Sequence, residues 1–239
     1  MTEMLYMKDI ESNYIREFDA SVVEQGDGHV VLDRSAFYPK GGGQESDTGV
    51  LRWSAGEARI HEVIRKGKVL HCTRDPLPSG IVHGVLDWER RYAHMRMHTA
   101  QHIISGLVYD LYRARTVGNQ IHAERSRVDF APASFPQEDL VQIVERCSEI
   151  AARGARVRIY EAERAEIEKL VDSQRANMDL LPKSISRLRI VEIEGFDLCP
   201  CAGTHVRNTA EIGRLRLLGR ESKGRETVRV SYTLEHAEG

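Results

Sequence analysis

Two short runs of metal-binding residue types lie far apart in the sequence, HTAQH at 98–102 and CAGTH at 201–205. In a helix, residues four apart lie on one face a turn away from each other, so His98 and His102 can direct both imidazoles to one point. Cys201 and His205 have the same spacing within a compact turn. Four nitrogen and sulfur ligands are the number and type that a tetrahedral Zn²⁺ ion binds. The sequence therefore predicts a zinc site that joins the middle of the chain to its end.

Two other residues keep the ligand set open at this point. His94 precedes His98 by four residues and Cys199 precedes Cys201 by two, so either could replace one of the four ligands. A zincin protease has glutamate directly after its first histidine, whereas Thr99 stands there in this chain. The two pairs lie roughly a hundred residues apart, which excludes a zinc finger and favours a cleft between elements. Four protein ligands would close the site, whereas three would leave a position for water or substrate.

The histidine pair lies within a stretch of helical periodicity that runs from Trp88 to Tyr112. Apolar or small residues recur in this stretch at spacings of three and four, which is typical of an amphipathic helix. These residues are Met97, Ala100, Ile104, Leu107, Val108 and Leu111. The stretch therefore predicts a helix from which His98 and His102 project together.

Residues 1–90 are predicted to be mostly β, and residues 91–239 to form a mixed α+β domain. In the first part, short alternating or apolar runs are separated by turn signals, and this spacing favours a small barrel or a sandwich. One of these runs, Ile60–Ile64, is expected to form a single strand. The second part carries helical and strand patterns in turn, so the domain boundary is placed near residue 90, without an obvious linker. The predicted fold class is α+β.

A glycine-rich loop lies within the first part, in the run FYPKGGGQESDTG at 37–49. Gly41, Gly42 and Gly43 permit positive φ angles and a close approach of the backbone to another group. No Gly-Lys-Ser/Thr follows, so the run is not a P-loop. A flexible hairpin is the plainest alternative. The aromatic residues and proline before the glycines favour a shaped loop that faces a ligand or the second domain.

Basic residues cluster locally near the histidines and in the last part of the chain. Arg96 lies on the histidine helix, and Arg207, Lys223 and Arg225 follow the second ligand pair. The turn around Lys223 and Arg225 presents two cations, which suits contact with phosphate. The alternative is a solvated strand face of mixed charge, because glutamates lie among these residues.

The overall composition is that of an ordinary globular protein, with 41% hydrophobic and 29% charged residues in 239 positions. A net charge of −2 gives no global signal for nucleic-acid binding, so such a partner would need a local basic patch. No apolar run approaches the roughly 20 residues of a membrane span, and the first residues carry no secretory pattern. The four cysteines do not indicate a disulfide framework. These features predict a cytoplasmic location and no membrane partner.

Four motifs together resemble the AlaX family, the free-standing alanyl-tRNA editing proteins. They are HTAQH, CAGTHV, the glycine-rich run at 37–49 and the closing run GRESKGRETVRV at 219–230. The motifs occur in the family's order over nearly the whole chain, and the length and the loop resemble its medium-length members. The resemblance implies an N-terminal β-barrel followed by a two-layer α+β editing domain, similar to the editing domain of alanyl-tRNA synthetase.

The resemblance also implies a function, the hydrolysis of serine, and of glycine as a further substrate, from mischarged tRNA(Ala). It implies Zn²⁺ as the cofactor, with His98, His102, Cys201 and His205 as its ligands. The expected partner is tRNA, and the chain is expected to be a monomer or a dimer. The candidate tRNA contacts are the glycine-rich loop and the local cations, namely Gly41, Gly42, Gly43, Gln44, Arg96, Arg207, Lys223 and Arg225.

An editing site must accept serine and spare alanine. The apolar pocket of a synthetase cannot strongly reject a substrate that merely adds a hydroxyl group, so a second, hydrolytic site is needed. Polar groups placed for the serine hydroxyl would be left unpaired by alanine, at a cost of about 1–3 kcal/mol for each buried group. The candidates for this role are Gln101, Asn119 and Gln120, and Asn119 stands where the family commonly has serine.

Two other functions are compatible with the same motifs. A zinc-stabilised tRNA-binding module without catalysis would bind tRNA and leave the ester intact. An editing enzyme for Ser-tRNA(Thr) would use a similar ligand pattern, because the editing domain of threonyl-tRNA synthetase shares it. ATP-dependent charging is not expected, because these two regions leave no room for an aminoacylation domain. The ligand pattern allows a catalytic, a substrate-positioning or a structural role for the metal.

Overall fold

The computed structural model describes residues 1–235, and within them it combines several β-sheets with three α-helices, in agreement with the predicted α+β class. None of the helices in this range has the length and apolar character of a membrane span. Two short 3-10 helices, Leu5–Met7 and Glu11–Tyr14, follow the first strand. The strands of the first part are β1 (Glu3–Met4), β2 (Glu17–Gly26), β3 (His29–Leu32), β4 (Arg34–Ser35), β5 (Gly49–Trp53), β6 (Gly56–Ile60), β7 (Glu62–Lys66), β8 (Lys68–Cys72) and β9 (Ile81–Leu86).

The N-terminal sheet contains β2, β3 and β5 to β9 in the order β6-β5-β9-β2-β3-β8-β7. Side chains along a strand point alternately to the two faces, and in β2 Phe18 and Ala20 are buried while their neighbours are exposed. Together with Leu32, Phe37 and Leu51 they belong to a hydrophobic core that is separate from the core of the second part. The short strands β1 and β4 pair in parallel beside it.

The closed N-terminal barrel that the resemblance implied is not confirmed. Strands β6 and β7 form the two edges of the sheet, and no ladder joins them within residues 1–235. The predicted strand Ile60–Ile64 is interrupted at His61, so β6 and β7 are consecutive parts of one segment. Such parts meet end to end instead of pairing side by side, and the hydrogen-bonded ladder that a barrel needs is missing at this point.

Helix α1 spans Trp88–Tyr112, which are the bounds that its periodicity predicts. Asp87 caps the start of the helix, because its carboxylate accepts a hydrogen bond from the Arg90 backbone N–H at 3.2 Å. Arg113 ends the helix in the left-handed conformation, with a φ of 56°. The helix is largely buried from its second turn onward, so its polar residues there face other parts of the protein.

The second part continues with β10 (Arg115–Gln120), β11 (Ser126–Ala131), α2 (Gln137–Ala152), β12 (Val157–Glu163), α3 (Arg164–Leu170), β13 (Arg187–Ile193), β14 (Asp197–Pro200), β15 (Leu215–Ser222) and β16 (Val228–Leu234). Two 3-10 helices, Met178–Leu180 and Thr209–Ile212, lie among these elements. One antiparallel sheet has the order β10-β11-β16-β15 and packs against α1 and α2, and β12-β13-β14 form another. The core between the helices and the first of these sheets includes Ile104, Phe130, Val144 and Val230.

A buried ion pair joins the N-terminal sheet to α1. Arg91 and Asp47 both have fully buried side chains, and Arg91 Nε lies 2.9 Å from Asp47 Oδ2. The two remaining guanidinium nitrogens donate to the backbone carbonyl groups of Asn13 and Ala36. A buried charge is tolerated when it is paired and its other donors are satisfied. This pair therefore anchors the two parts of the chain to each other.

Candidate metal centre

The two predicted ligand pairs meet in the structure. One ligand atom each from His98, His102, Cys201 and His205 lies within 4.8 Å of the other three. Cys201 Sγ is 3.3 Å from His205 Nε2 and 3.6 Å from His98 Nε2. Ligands placed tetrahedrally at zinc bond lengths of about 2.0–2.3 Å are separated by about 3.3–3.7 Å. The spacing of these four residues, which we call the quartet, is therefore suitable for one divalent ion.

Helix and turn geometry bring the quartet together. His98 and His102 lie one turn apart on α1, with ring centroids 5.3 Å apart. Cys201 and His205 lie in the loop that follows β14. Gly203 is required in this loop, because a Cβ atom there would lie 2.1 Å from His98 Cε1. The loop thus passes so close to α1 that its ligands reach those of the helix.

Two histidines of the quartet have their Nδ1 atoms held by other side chains. His98 Nδ1–H donates to Gln44 Oε1 at 2.8 Å, and His102 Nδ1–H donates to Asp197 Oδ2 at 3.3 Å. The other carboxylate oxygen of Asp197 accepts from Arg175. Partners of this kind fix the tautomer and the orientation of an imidazole that binds a metal. Both histidines are thereby left with Nε2 free to bind an ion.

The third histidine is held by a hydroxyl group of α1. Thr99 Oγ1 donates to Met95 O at 2.9 Å, so its oxygen must accept at 3.1 Å from His205 Nδ1–H. The backbone N–H of His205 donates to Asn13 Oδ1 at 2.7 Å. Burial lowers the pKa of His205 well below its ordinary value, so the ring is neutral. Its free Nε2 is the atom that faces Cys201 Sγ.

The two cysteines near the quartet differ in protonation. Burial opposes ionisation of Cys201, but the nearby imidazoles of His98 and His102 outweigh it and hold the pKa of this thiol well below its ordinary value. Burial raises the pKa of the Cys199 thiol to about 12. The thiolate is the form that binds a metal. Cys201 is therefore suited to be a ligand, whereas Cys199 is a neutral thiol that lies 3.2 Å from His102 Nδ1.

The two alternative ligands that the spacing allowed lie outside the quartet. His94 is fully buried one turn before His98, and burial lowers its pKa to about 3, so it is neutral. Its Nε2 lies 3.8 Å from Glu45 Oε2, away from the loop that carries Cys201. Cys199 instead forms a smaller group with His102 and Asp197, which shares one histidine with the quartet.

A cavity of about 430 Å³ opens beside the quartet, between the N-terminal sheet and α1. His98, His102 and Cys201 lie on its wall. Residues of the first part of the chain, among them Tyr6 and Tyr38, also line this cavity. The quartet is therefore accessible from a space large enough for a small ligand.

A connected row of polar side chains lies on the cavity wall next to the histidines. Asn119 Nδ2 donates to Gln101 Oε1 at 3.4 Å, and Gln101 Nε2 donates to Ser105 Oγ at 2.7 Å. Ser105 Oγ in turn lies 2.8 Å from Thr116 Oγ1. We call these four residues the polar row. Its amide and hydroxyl groups can exchange these hydrogen bonds for bonds to a polar ligand.

Two of the three predicted serine-sensing residues, Gln101 and Asn119, line the cavity, and Gln120 does not. Successive strand residues point to opposite faces, so β10 directs Asn119 to the cavity and Gln120 to the other side. There, Gln120 Oε1 accepts from Arg127 Nε at 2.8 Å. Gly43 lies very close to Asn119, because a Cβ atom at position 43 would lie 1.7 Å from Asn119 Oδ1.

The glycine-rich loop, predicted to contact tRNA, reaches both the cavity and the quartet. Gly41 and Gly42 line the cavity. Gln44 is only 1% exposed, and besides His98 it contacts the quartet loop, where its Nε2 donates to Thr204 Oγ1 at 3.0 Å. Gln44 is thus a residue of the first part of the chain that supports a metal ligand of the second part.

The four predicted tRNA-binding cations lie outside the cavity lining. Arg96 donates to backbone carbonyl groups of the 3-10 helix that follows the quartet loop. Arg207 lies over the ring of Tyr14 at 3.7 Å. Lys223 and Arg225 lie at and beside the turn between β15 and β16. In the described part of the chain, none of these four cations therefore lines the cavity on which the quartet lies.

Sequence reasoning missed several residues that support the site. Thr99 and Asp197 hold metal-binding imidazoles, but such partners have no fixed spacing from the ligands they hold. Ser105 could have been found, because it lies four residues after Gln101 on the same face of α1. Thr116 and Asn119 are three residues apart, on opposite sides of a register shift in β10, so strand alternation alone would not have paired them.

We expect Gln44→Ala to weaken zinc binding about 10- to 100-fold, the usual effect of removing a partner that orients a metal ligand. The substitution removes the acceptor of His98 Nδ1–H and leaves the quartet itself unchanged. The measurement is competition for Zn²⁺ with a chelator of known affinity. Gln25→Ala is the matched control, because Gln25 contacts Pro78 O in the N-terminal sheet and should leave the affinity unchanged. Equal affinities of Gln44→Ala and the control would contradict the role of Gln44.

Comparisons with known proteins relate both parts of the chain to tRNA synthetases. Residues 188–231 match the family described as threonyl and alanyl tRNA synthetase second additional domain. Residues 4–90 match the class II (A) tRNA synthetases. An alanine–tRNA ligase of Thermofilum pendens is 36% identical, in an alignment that covers 100% of this chain and 27% of the ligase.

Free-standing proteins match over their whole length. The alanyl-tRNA editing protein AlaX-M of Methanosarcina acetivorans is 36% identical, over 98% of this chain and 99% of the relative. The AlaX-M protein of Saccharolobus solfataricus is 38% identical, over 98% of this chain and 100% of the relative. Similarity of this extent, together with the quartet, shows that the chain belongs to the AlaX family of alanyl-tRNA editing proteins.

Proposed function

We propose that this chain deacylates mischarged tRNA(Ala), with Ser-tRNA(Ala) as its main substrate and Gly-tRNA(Ala) as a further one. The observation that carries the proposal is the quartet on the wall of a cavity that also holds the polar row. Family membership supports the same reaction, because the relatives are named as alanyl-tRNA editing proteins. The partner is then tRNA, and the cytoplasmic location and the monomeric or dimeric state stay predictions.

We also propose that the chain has two domains, residues 1–90 and residues 91–239, and that both contribute to the site. The separate hydrophobic cores of the two parts support this division. Gln44 and the glycine-rich loop belong to the first domain, whereas the quartet and the polar row belong to the second. The substrate cavity lies where they meet, a common place for ligand sites.

Zinc is the proposed metal of the quartet. The Cys201 thiolate and the Nε2 atoms of His98, His102 and His205 would hold it, a donor set that zinc favours. A bound zinc ion supplies Lewis acidity to an ester carbonyl or lowers the pKa of a bound water. Gln44, Thr99 and Asp197 hold the imidazoles in place, so that the protein does not reorganise when the ion binds.

The polar row is proposed to recognise the seryl hydroxyl group. Gln101, Ser105, Thr116 and Asn119 offer both donors and acceptors to a hydroxyl in the cavity. An alanyl group would fill the same space without a hydroxyl, so the donors and acceptors that the row does not use internally would lose solvent without gaining a partner, at a cost of about 1–3 kcal/mol. The row thereby makes the hydrolytic site prefer serine over alanine, a distinction that the apolar pocket of a synthetase makes only weakly.

A deacylation assay with four substrates tests the proposed function. The expected order of rates places Ser-tRNA(Ala) first, Gly-tRNA(Ala) next, and Ala-tRNA(Ala) near the rate of the ester in buffer. A faster rate on Ser-tRNA(Thr) than on Ser-tRNA(Ala) would reassign the substrate. Binding of tRNA(Ala) without accelerated loss of any of the four esters would identify a zinc-stabilised tRNA-binding module.

We expect Gln101→Ala to lower kcat/KM for Ser-tRNA(Ala) about 10- to 100-fold, the equivalent of one hydrogen bond in a buried site. The slow rate on Ala-tRNA(Ala) should not fall with it, because alanine makes no such bond. Gln120→Ala is the matched control and should stay within about 2-fold of the unmodified protein, because Gln120 points to the other face of β10. A larger loss for Gln120→Ala than for Gln101→Ala would contradict the assignment.

A further inference from the structure

The cavity beside the quartet has a strongly positive lining. Its cationic side chains are Lys40, Arg65, Arg115 and Arg175, and its carboxylate is that of Asp197. The chain as a whole carries a net charge of −2, so this excess of positive charge is local. A concave surface of one charge sign attracts ligands of the opposite sign.

The two cations from the second part of the chain are already occupied. Arg175 pairs with Asp110 and Asp197. Arg115 Nη2 donates to Asn177 Oδ1 at 3.2 Å and also pairs with Asp179. These guanidinium groups hold the segment around residue 177 against α1 and β10. They have little capacity left for a ligand.

The two cations from the first part of the chain are available. Arg65 is exposed and forms no side-chain hydrogen bond or ion pair with any residue in 1–235. Lys40 has one ion-pair contact, 3.7 Å from Glu62, and both side chains are exposed, so the pair contributes little to stability. The backbone N–H of Lys40 donates to Val63 O at 2.9 Å, which places Lys40 beside the strand that carries Arg65.

We propose that Lys40 and Arg65 bind backbone phosphates of the single-stranded 3′ end of tRNA. This inference rests on the proposed function, because it assumes an aminoacylated terminal adenosine at the quartet. The nucleotides before that adenosine must leave the cavity, and these two exposed side chains belong to its lining. A guanidinium group binds phosphate through paired hydrogen bonds, and an ammonium group binds it as a point charge. The first part of the chain thus forms the phosphate-binding wall of the substrate site.

The salt dependence of deacylation tests the proposal. We expect Lys40→Ala/Arg65→Ala to raise KM for Ser-tRNA(Ala) about 10-fold and to change kcat less than about 2-fold. The slope of log KM against log salt should decrease by about 0.7 for each phosphate that the variant no longer binds, the value for single strands. Arg65→Lys should retain part of the phosphate binding, because it keeps the charge but loses the paired hydrogen bonds.

Two controls separate phosphate binding from a general effect. Lys66→Ala makes the same change of charge one residue from Arg65, on the other face of β7, and should leave both KM and the slope unchanged. Seryl adenosine, which has no phosphate before its ribose, should be hydrolysed equally by the double variant and the unmodified protein. A double variant with an unchanged KM and slope, or with an equal loss on seryl adenosine, would overturn the proposal. Failure of the proposed function itself would look different, because the unmodified protein would then hydrolyse neither ester.

Discussion

Cys201→Ser is expected to abolish stoichiometric zinc binding and to lower kcat/KM for Ser-tRNA(Ala) at least about 100-fold. Losing a partner that only orients a metal ligand costs about 10- to 100-fold, so losing the ligand itself costs more. A serine hydroxyl is not ionised near neutral pH, whereas His98 and His102 hold the pKa of the Cys201 thiol well below its ordinary value. The measurements are zinc per chain after gel filtration and the rate of deacylation.

Cys199→Ser is the matched control for this experiment. This variant makes the same replacement of sulfur by oxygen two residues away, at Cys199, where burial raises the pKa of the thiol to about 12. Its serine hydroxyl can still hydrogen-bond, so the variant should keep one zinc per chain. Loss of zinc from Cys199→Ser with retention by Cys201→Ser would show that the wrong thiol has been assigned. Zinc loss from Cys201→Ser with full activity would restrict the metal to a structural role.

Arg91→Ala is expected to lower the free energy of unfolding by about 3–5 kcal/mol. The substitution leaves Asp47, whose side chain is fully buried, without its partner, and removal of one member of a buried pair has this cost. It also leaves the carbonyl groups of Asn13 and Ala36 without a donor. Urea unfolding measures the effect, with the slope of the transition as a check that the unfolding process is unchanged.

Arg90→Ala tests whether burial of the ion pair causes the large destabilisation expected for Arg91→Ala. Arg90 is the neighbouring residue and pairs with Glu45 at 2.8 Å, but about 30% of each side chain is exposed. An exposed pair contributes about 0–1 kcal/mol. A loss of several kcal/mol in Arg90→Ala, or a loss below about 1 kcal/mol in Arg91→Ala, would contradict the anchoring role of the buried pair.

Local spacing predicted two pairs of metal ligands, and the resemblance to the AlaX family selected the four residues of the quartet over His94 and Cys199. His98 and His102 are one helical turn apart, and the periodicity around them predicted the helix with its observed bounds. Cys201 and His205 share a turn. The meeting of the two pairs was a hypothesis from ligand number and type, and the structure brings the four residues together.

Features that depend on tertiary contacts could not be predicted. Gln44 lies 54 positions before His98, and no local rule connects a glycine-rich loop with the Nδ1 of a distant imidazole. Asn119 and Gln120 were equivalent as polar strand residues until the face of β10 was known. The barrel was expected from resemblance, but closure depends on how β6 and β7 meet at His61, which no pattern in the sequence encodes.

We propose that one zinc ion is held by three imidazoles and one thiolate. Zinc K-edge X-ray absorption on the purified protein tests it most directly. We expect a shell of three nitrogen atoms at about 2.0–2.1 Å and one sulfur atom at about 2.3 Å. Cys199→Ser should show the same shell, including its one sulfur atom. A shell with two sulfur atoms, a shell of oxygen atoms only, or protein that takes up no zinc would contradict it.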